Sequence, residues 1–89
     1  MKFEWGIAKA AANLRKHGVS FEAAATAFED ELSATFTDPD HSQGEHRFIT
    51  YGLGLAGKLL VVSHTDQQGT IRIISARLAT EKERKRYET

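Results

Sequence analysis

The sequence predicts an α+β fold in which a short strand and two helices precede four strands and a closing helix. Three observations carry this reading. Apolar residues recur at helical spacing between Ile7 and Phe28, the period changes to two after Glu31, and a helix-capping pattern returns at Thr80. The expected order is β-α-α-β-β-β-β-α, an antiparallel sheet with its helices packed on one side. At 89 residues, the whole chain (1–89) is expected to form one domain.

Phe3-Glu4-Trp5 alternates apolar and polar and reads as the first strand. Ile7 to His17 follows as a helix, with Ile7, Ala10, Ala11 and Leu14 at helical spacing and an alanine run raising propensity. Gly18 supplies its left-handed cap, and Lys16 and His17 stand beside the negative end of the helix dipole. Ser20 caps a second helix, Phe21 to about Glu29, expected to bury Phe21, Ala24, Ala25 and Phe28. Ser33 to Thr37, Arg47 to Leu53, Lys58 to Thr65 and Thr70 to Ala76 are rich in β-branched and aromatic residues and read as strands. Their separators are turn-like and short, which favours an antiparallel meander. Thr80 and Glu83 form the capping box of a last helix, Glu81 to Tyr87.

Composition narrows the function classes. There is no cysteine, so disulfides and thiolate metal sites are excluded. No apolar run approaches the roughly 20 residues of a membrane span, and the first residues lack a secretory pattern. A soluble, cytoplasmic protein with no membrane partner is expected. Twelve basic and twelve acidic residues cancel, but they are segregated. Every charged residue from Glu22 to Glu45 is acidic, whereas basic residues gather around Lys16, on Arg47, Lys58, Arg72 and Arg77, and from Lys82 to Arg86. A neutral total therefore permits one basic and one acidic face, or simply solvated surfaces of both signs.

Strict alternation puts Leu60, Val62 and His64 on one face of their strand, and Ile71, Ile73, Ser75 and Arg77 on one face of the next. Arg47, Ile49 and Tyr51 align on an earlier strand. An arginine in an apolar strand needs a partner or a groove. Asp38, Asp40, His41 and His46 are potential metal ligands, but their spacing matches no defined site, so neither metal nor cofactor is expected. Gly52-Leu53-Gly54 links strands and does not open a helix, so it is no phosphate-binding loop.

RNA cleavage asks less of a protein, because the substrate brings its own 2′-hydroxyl nucleophile. Arg47, Arg72 and Arg77 suit a phosphate clamp, His64 a proton transfer near neutral pH, and Tyr87 base stacking or phosphate orientation. Each has a plainer alternative: His64 as a satisfied strand histidine, Arg77 as a partner of Glu81 or Glu83, and Lys82 to Arg86 as a solvated helix face.

Three segments resemble the BrnT family of toxins. Trp5, Lys9, Asn13 and the run Lys16-His17-Gly18-Val19-Ser20-Phe21-Glu22-Ala23-Ala24 are similar to its opening signature. Arg47-Phe48-Ile49 with Gly52 resembles its central strand. Ile71-Arg72-Ile73-Ile74-Ser75-Ala76-Arg77, Ala79-Thr80, Glu83-Arg84 and Tyr87 are similar to its closing signature. The resemblance implies a RelE-like fold and a ribonuclease toxin of a type II toxin–antitoxin system that blocks translation. It also implies a BrnA-like ribbon-helix-helix antitoxin, a two-plus-two complex, and contact with operator DNA only through that antitoxin. The matching polar positions are Arg47, Arg72, Ser75, Arg77 and Tyr87, joined by His64 from the strand reading; Lys16 and His17 also match. Together with Lys58, Lys82, Arg84 and Lys85 these last two are candidate RNA-binding residues. The alternative is a non-catalytic module that holds an antitoxin and tunes operator binding. Gly6-Ile7 stands where the family usually has Asp-Pro, which should soften the start of the first helix without changing the fold.

Overall fold

The computed structural model describes residues 1–39 and 46–88. Its elements are β1 (Lys2–Glu4), α1 (Ile7–His17), α2 (Phe21–Thr26) extended by a 3₁₀ turn (Ala27–Glu29), β2 (Ala34–Thr37), β3 (Phe48–Leu53), β4 (Leu59–Gln67), β5 (Thr70–Leu78) and α3 (Glu81–Glu88). The sheet order is β1-β5-β4-β3-β2. β2 to β5 form the expected antiparallel meander, but β1 joins β5 in parallel, so the sheet is mixed. The reason is topological: α1 and α2 carry the chain across one face, leaving β1 and β2 on opposite edges.

The core lies between α1–α2 and the first face of the sheet. Phe21, Ala24, Ala27, Val62, Ile73 and Ala76 are buried there, with Phe3, Trp5 and Phe28 packed at its rim. Trp5 meets Phe21 edge-on at 5.9 Å, and Phe3 lies 5.3 Å from Phe28. The 3₁₀ turn approaches β3 so closely that a Cβ on Gly52 would stand 2.4 Å from the carbonyl oxygen of Ala27. Only glycine fits that crossing. Gly18, with φ of 71°, caps α1 in the left-handed region, and the Ser20 side chain caps α2 through the Ala23 amide.

α1 is rotated from the face its apolar pattern suggests. Ile7 and Leu14 are exposed, while Asn13 is buried against β5. The cause is a hydrogen-bond demand. β1 covers the edge of β5 only at Thr70, Ile71 and Arg72, so on that edge, away from β4, the backbone of Ala76 has no strand among the described residues. The Asn13 amide fills that place, donating to the Ala76 carbonyl (2.8 Å) and accepting from the Ala76 amide (3.1 Å). It also donates to the Val19 carbonyl (2.9 Å), fixing the turn between the helices. A buried primary amide thus acts as one residue of a missing strand.

The last strand departs from strict alternation. Ser63 pairs with Ser75 and His64 with Ile73, so Ile74 is the extra residue of a β-bulge. Ile71, Ile73 and Ala76 therefore share the core face, and Arg72, Ser75 and Arg77 point to the second face. This corrects the expected grouping of Ser75 and Arg77 with the two isoleucines. α3 departs likewise from a one-sided arrangement of helices: its side chains contact Arg77 and Tyr51 on the second face.

Replacing Asn13 with Ala leaves buried groups on two backbone segments unsatisfied. The expected loss is about 3 kcal/mol in urea unfolding; a loss under about 1 kcal/mol would show that the amide is dispensable.

Candidate active site on the second face of the sheet

Strand register arranges the second face in three cross-sheet rows. Glu4, Arg72 and Thr65 form the first, Ser75, Ser63, Ile49 and Phe36 the second, and Arg77, Val61, Tyr51 and Ala34 the third. Arg47 immediately precedes β3 and continues the alternation of Ile49 and Tyr51, half-buried. Four sequence candidates, Arg47, Arg72, Ser75 and Arg77, thus belong to this face.

α3 completes it. The predicted capping box forms: the Thr80 amide donates to Glu83 Oε1 (2.8 Å), and the Glu83 amide donates to Thr80 Oγ1 (3.2 Å). The same carboxylate accepts both guanidinium arms of Arg77, at 2.8 and 3.0 Å, and the Tyr51 hydroxyl at 3.4 Å. Arg77 Nη1 also donates to the Leu78 carbonyl (3.2 Å). One turn on, the Tyr87 hydroxyl donates to Asp30, whose carboxylate also holds the Leu53 and Leu32 amides. The C-terminal helix is therefore fastened at both ends, through Glu83 and through Tyr87.

These contacts set the ionisation states. The hydrogen bond from Arg77 brings the Glu83 carboxyl down to about 2, aided by Thr80 and against partial burial. Arg77 is correspondingly held more firmly charged by Glu83. Burial and the Glu83 charge push Tyr51 up, and burial with Asp30 pushes Tyr87 up to about 12. At neutral pH the site holds an ionised carboxylate, a guanidinium and two protonated phenols.

Beside α3 the second face opens into a groove of about 560 Å³, lined in part by Phe36, Ile49, Tyr51, Glu83, Arg86 and Tyr87.

A family model described as the ribonuclease toxin BrnT of type II toxin–antitoxin systems matches residues 5–83. The chain belongs to the BrnT family. The crystal structure of the Brucella abortus ribonuclease toxin BrnT is similar, with a TM-score of 0.67, 26% identity, and coverage of 91% of this chain and 99% of that one. No curated protein matches the chain.

The other sequence candidates of this BrnT-family chain lie apart. His64 is on the first face, 3% exposed, between Phe28 and Phe48. Its Nε2 shares a 2.7 Å hydrogen bond with Thr50 Oγ1, which is 2.8 Å from Thr35 Oγ1, and among the described residues Nδ1 has no partner of hydrogen-bonding geometry. Burial lowers its pKa, so it is neutral at pH 7. Its register with the core strands places it away from Arg77 and Ser75. Lys16 and His17 end α1 in the helical layer, and Lys58 lies exposed just before β4. Lys82, Arg84 and Lys85 are exposed on α3, with Lys85 3.6 Å from Glu81 in an i,i+4 pair. On the second face itself, Arg72 is tied to Glu4 at 3.0 Å in an exposed pair. Asp40 and His41 lie outside the described residues. Gly6 caps α1 without a side-chain bond, and a Cβ there would be 3.9 Å from Arg72 Nη2. An aspartate at position 6 would therefore face Arg72.

Glu83 and Tyr51 had weak sequence signals. Glu83 reads as a helix cap and as one of two possible partners of Arg77, and Tyr51 as an ordinary strand aromatic; Glu83's bond to Arg77 and Tyr51's bond to Glu83 make them candidate site residues.

Because the folded pKa of Glu83 lies below its ordinary 4.5, ionisation favours the folded state. That contribution is complete above about pH 4.5 and is lost as pH falls through about 2. Arg77 is 40% exposed, so screening keeps it small; Glu83→Gln should cost about 1–2 kcal/mol at pH 7 in urea unfolding, cap included. The deficit should shrink at pH 3, and a deficit equal at both pH values would rule out the ion pair as its source.

Proposed function

We propose that this BrnT-family protein is a metal-independent endoribonuclease toxin that cuts RNA and thereby blocks translation. The observation that carries the reading is the Arg77–Glu83–Tyr51 cluster on one face, with Ser75 and Arg72 on the same strand. Arg77 holds the scissile phosphate, and Arg47 and Arg72 contact flanking phosphates. A phosphate that takes the guanidinium fork competes with Glu83. Losing Arg77 removes the largest cause of its low pKa, so the freed carboxylate becomes a better proton acceptor. Glu83 then takes the 2′-hydroxyl proton as the 2′-oxygen attacks phosphorus. The bond to the 5′-oxygen breaks, and that oxygen takes a proton from Tyr51, which Glu83 later restores. The products are a 2′,3′-cyclic phosphate and a free 5′-hydroxyl.

In this reading Ser75 is a polar contact to the phosphate, and Tyr87 anchors α3 through Asp30. Lys82, Arg84 and Lys85 steer RNA from the exposed side of α3, while Lys16, His17 and Lys58 are peripheral contacts. His64 is assigned to the core, where its neutral ring joins the Thr35–Thr50 chain. The partner is a BrnA-like ribbon-helix-helix antitoxin in a two-plus-two complex, which alone contacts operator DNA. The pair acts in the cytoplasm.

The test is RNA cleavage by purified wild type and Arg77→Ala in EDTA, with end-group analysis of the products. Wild type should give cyclic phosphate ends, and Arg77→Ala should lose at least about 100-fold in rate. Cleavage abolished by EDTA would contradict metal independence. An inert, folded wild type that still captures antitoxin would favour the non-catalytic module.

A further inference from the structure

We infer that the groove between α3 and the second sheet face is a subsite for one unpaired nucleobase next to the scissile phosphate. This rests on the RNA-cleaving reading and deepens it. Three aromatic rings line the groove: Phe36, Tyr51 and Tyr87. Phe36 is 56% exposed on edge strand β2, a costly place for an apolar ring unless something covers it. It meets Tyr51 edge-on at 6.0 Å, which leaves a ring face available for stacking.

The two tyrosines are held in place at their hydroxyls, Tyr51 by Glu83 and Tyr87 by Asp30, so their rings are pre-positioned. Exposed Arg86 adds a guanidinium plane to the lining. Aromatic faces with a nearby arginine are the surfaces on which single-stranded bases stack. The volume of about 560 Å³ accommodates a nucleotide. The groove is continuous with the catalytic cluster because Glu83 belongs to both: it lines the groove and holds Arg77. A phosphate on Arg77 therefore lies at the end of the groove marked by Glu83, with its neighbouring base at the groove mouth. Double-stranded RNA, with its bases stacked on one another, could not use the subsite.

The experiment measures binding of a fluorescent, uncleavable 2′-O-methyl oligonucleotide by anisotropy, alongside the same strand with a single abasic position moved along it. Wild type, Phe36→Ala and Phe36→Trp are compared, with cleavage of ordinary RNA followed separately. Wild type should lose roughly tenfold in affinity when the base at one position is removed. Phe36→Ala should bind both strands equally weakly, and Phe36→Trp should restore the difference. If Phe36→Ala discriminates base from abasic strand as wild type does, the subsite is wrong, even if wild type cleaves RNA. If base discrimination depends on Phe36 but wild type cuts nothing, the subsite stands and the ribonuclease reading fails. If Phe36→Ala binds both strands as tightly as wild type binds the intact one, the groove takes no base and the inference is overturned.

Discussion

Strand β5 must bury Ile71, Ile73 and Ala76 while keeping Arg77 out of the core, and an uninterrupted strand cannot do both. Regular alternation would send Arg77 to the side of the two isoleucines, under the helices, where an unpaired guanidinium is prohibitively costly. The bulge at Ile74 resolves the conflict by resetting the phase of the strand between Ile73 and Ser75. Asn13 then secures the segment beyond the bulge by bonding both backbone groups of Ala76. The helical layer and the chemistry of the second face are thus fixed at neighbouring residues of one strand.

From that arrangement follows a division of labour between the faces. The first face is a packed core in which, among the described residues, buried polar side chains are few and all but His64 Nδ1 have partners. The second face carries the ionic cluster, and its organiser is Glu83. This carboxylate closes the capping box of α3, neutralises Arg77 and accepts from Tyr51. Helix placement and site electrostatics therefore depend on the same two oxygens. A ligand that draws Arg77 away also loosens one fastening of α3, while the Tyr87–Asp30 contact still holds the helix.

Much of this was legible in the sequence. The element order, both bounds of α1, the Ser20 cap and the Thr80–Glu83 box follow from local patterns that the structure repeats. The BrnT signatures were readable because they span most of the chain. Three features were hidden because they depend on tertiary pairing. The bulge has no glycine or proline to announce it, so strict alternation puts Ser75 and Arg77 on the wrong face. The rotation of α1 answers a vacancy beside β5 that the short reach of β1 leaves. His64 looks like a proton-transfer group in a list of residues, but strand phase sends it inward between two phenylalanines.

The central claim is that RNA is engaged by the second face of the sheet. It is tested most directly by backbone amide chemical shifts on adding an uncleavable 2′-O-methyl oligonucleotide to the isotopically labelled protein. The largest changes are expected at Tyr51, Ser63, Ser75, Arg77 and Glu83, with Asn13 and Phe21 unmoved. Changes centred on Lys16, His17 and the helical layer, with Arg77 and Glu83 unaffected, would contradict it.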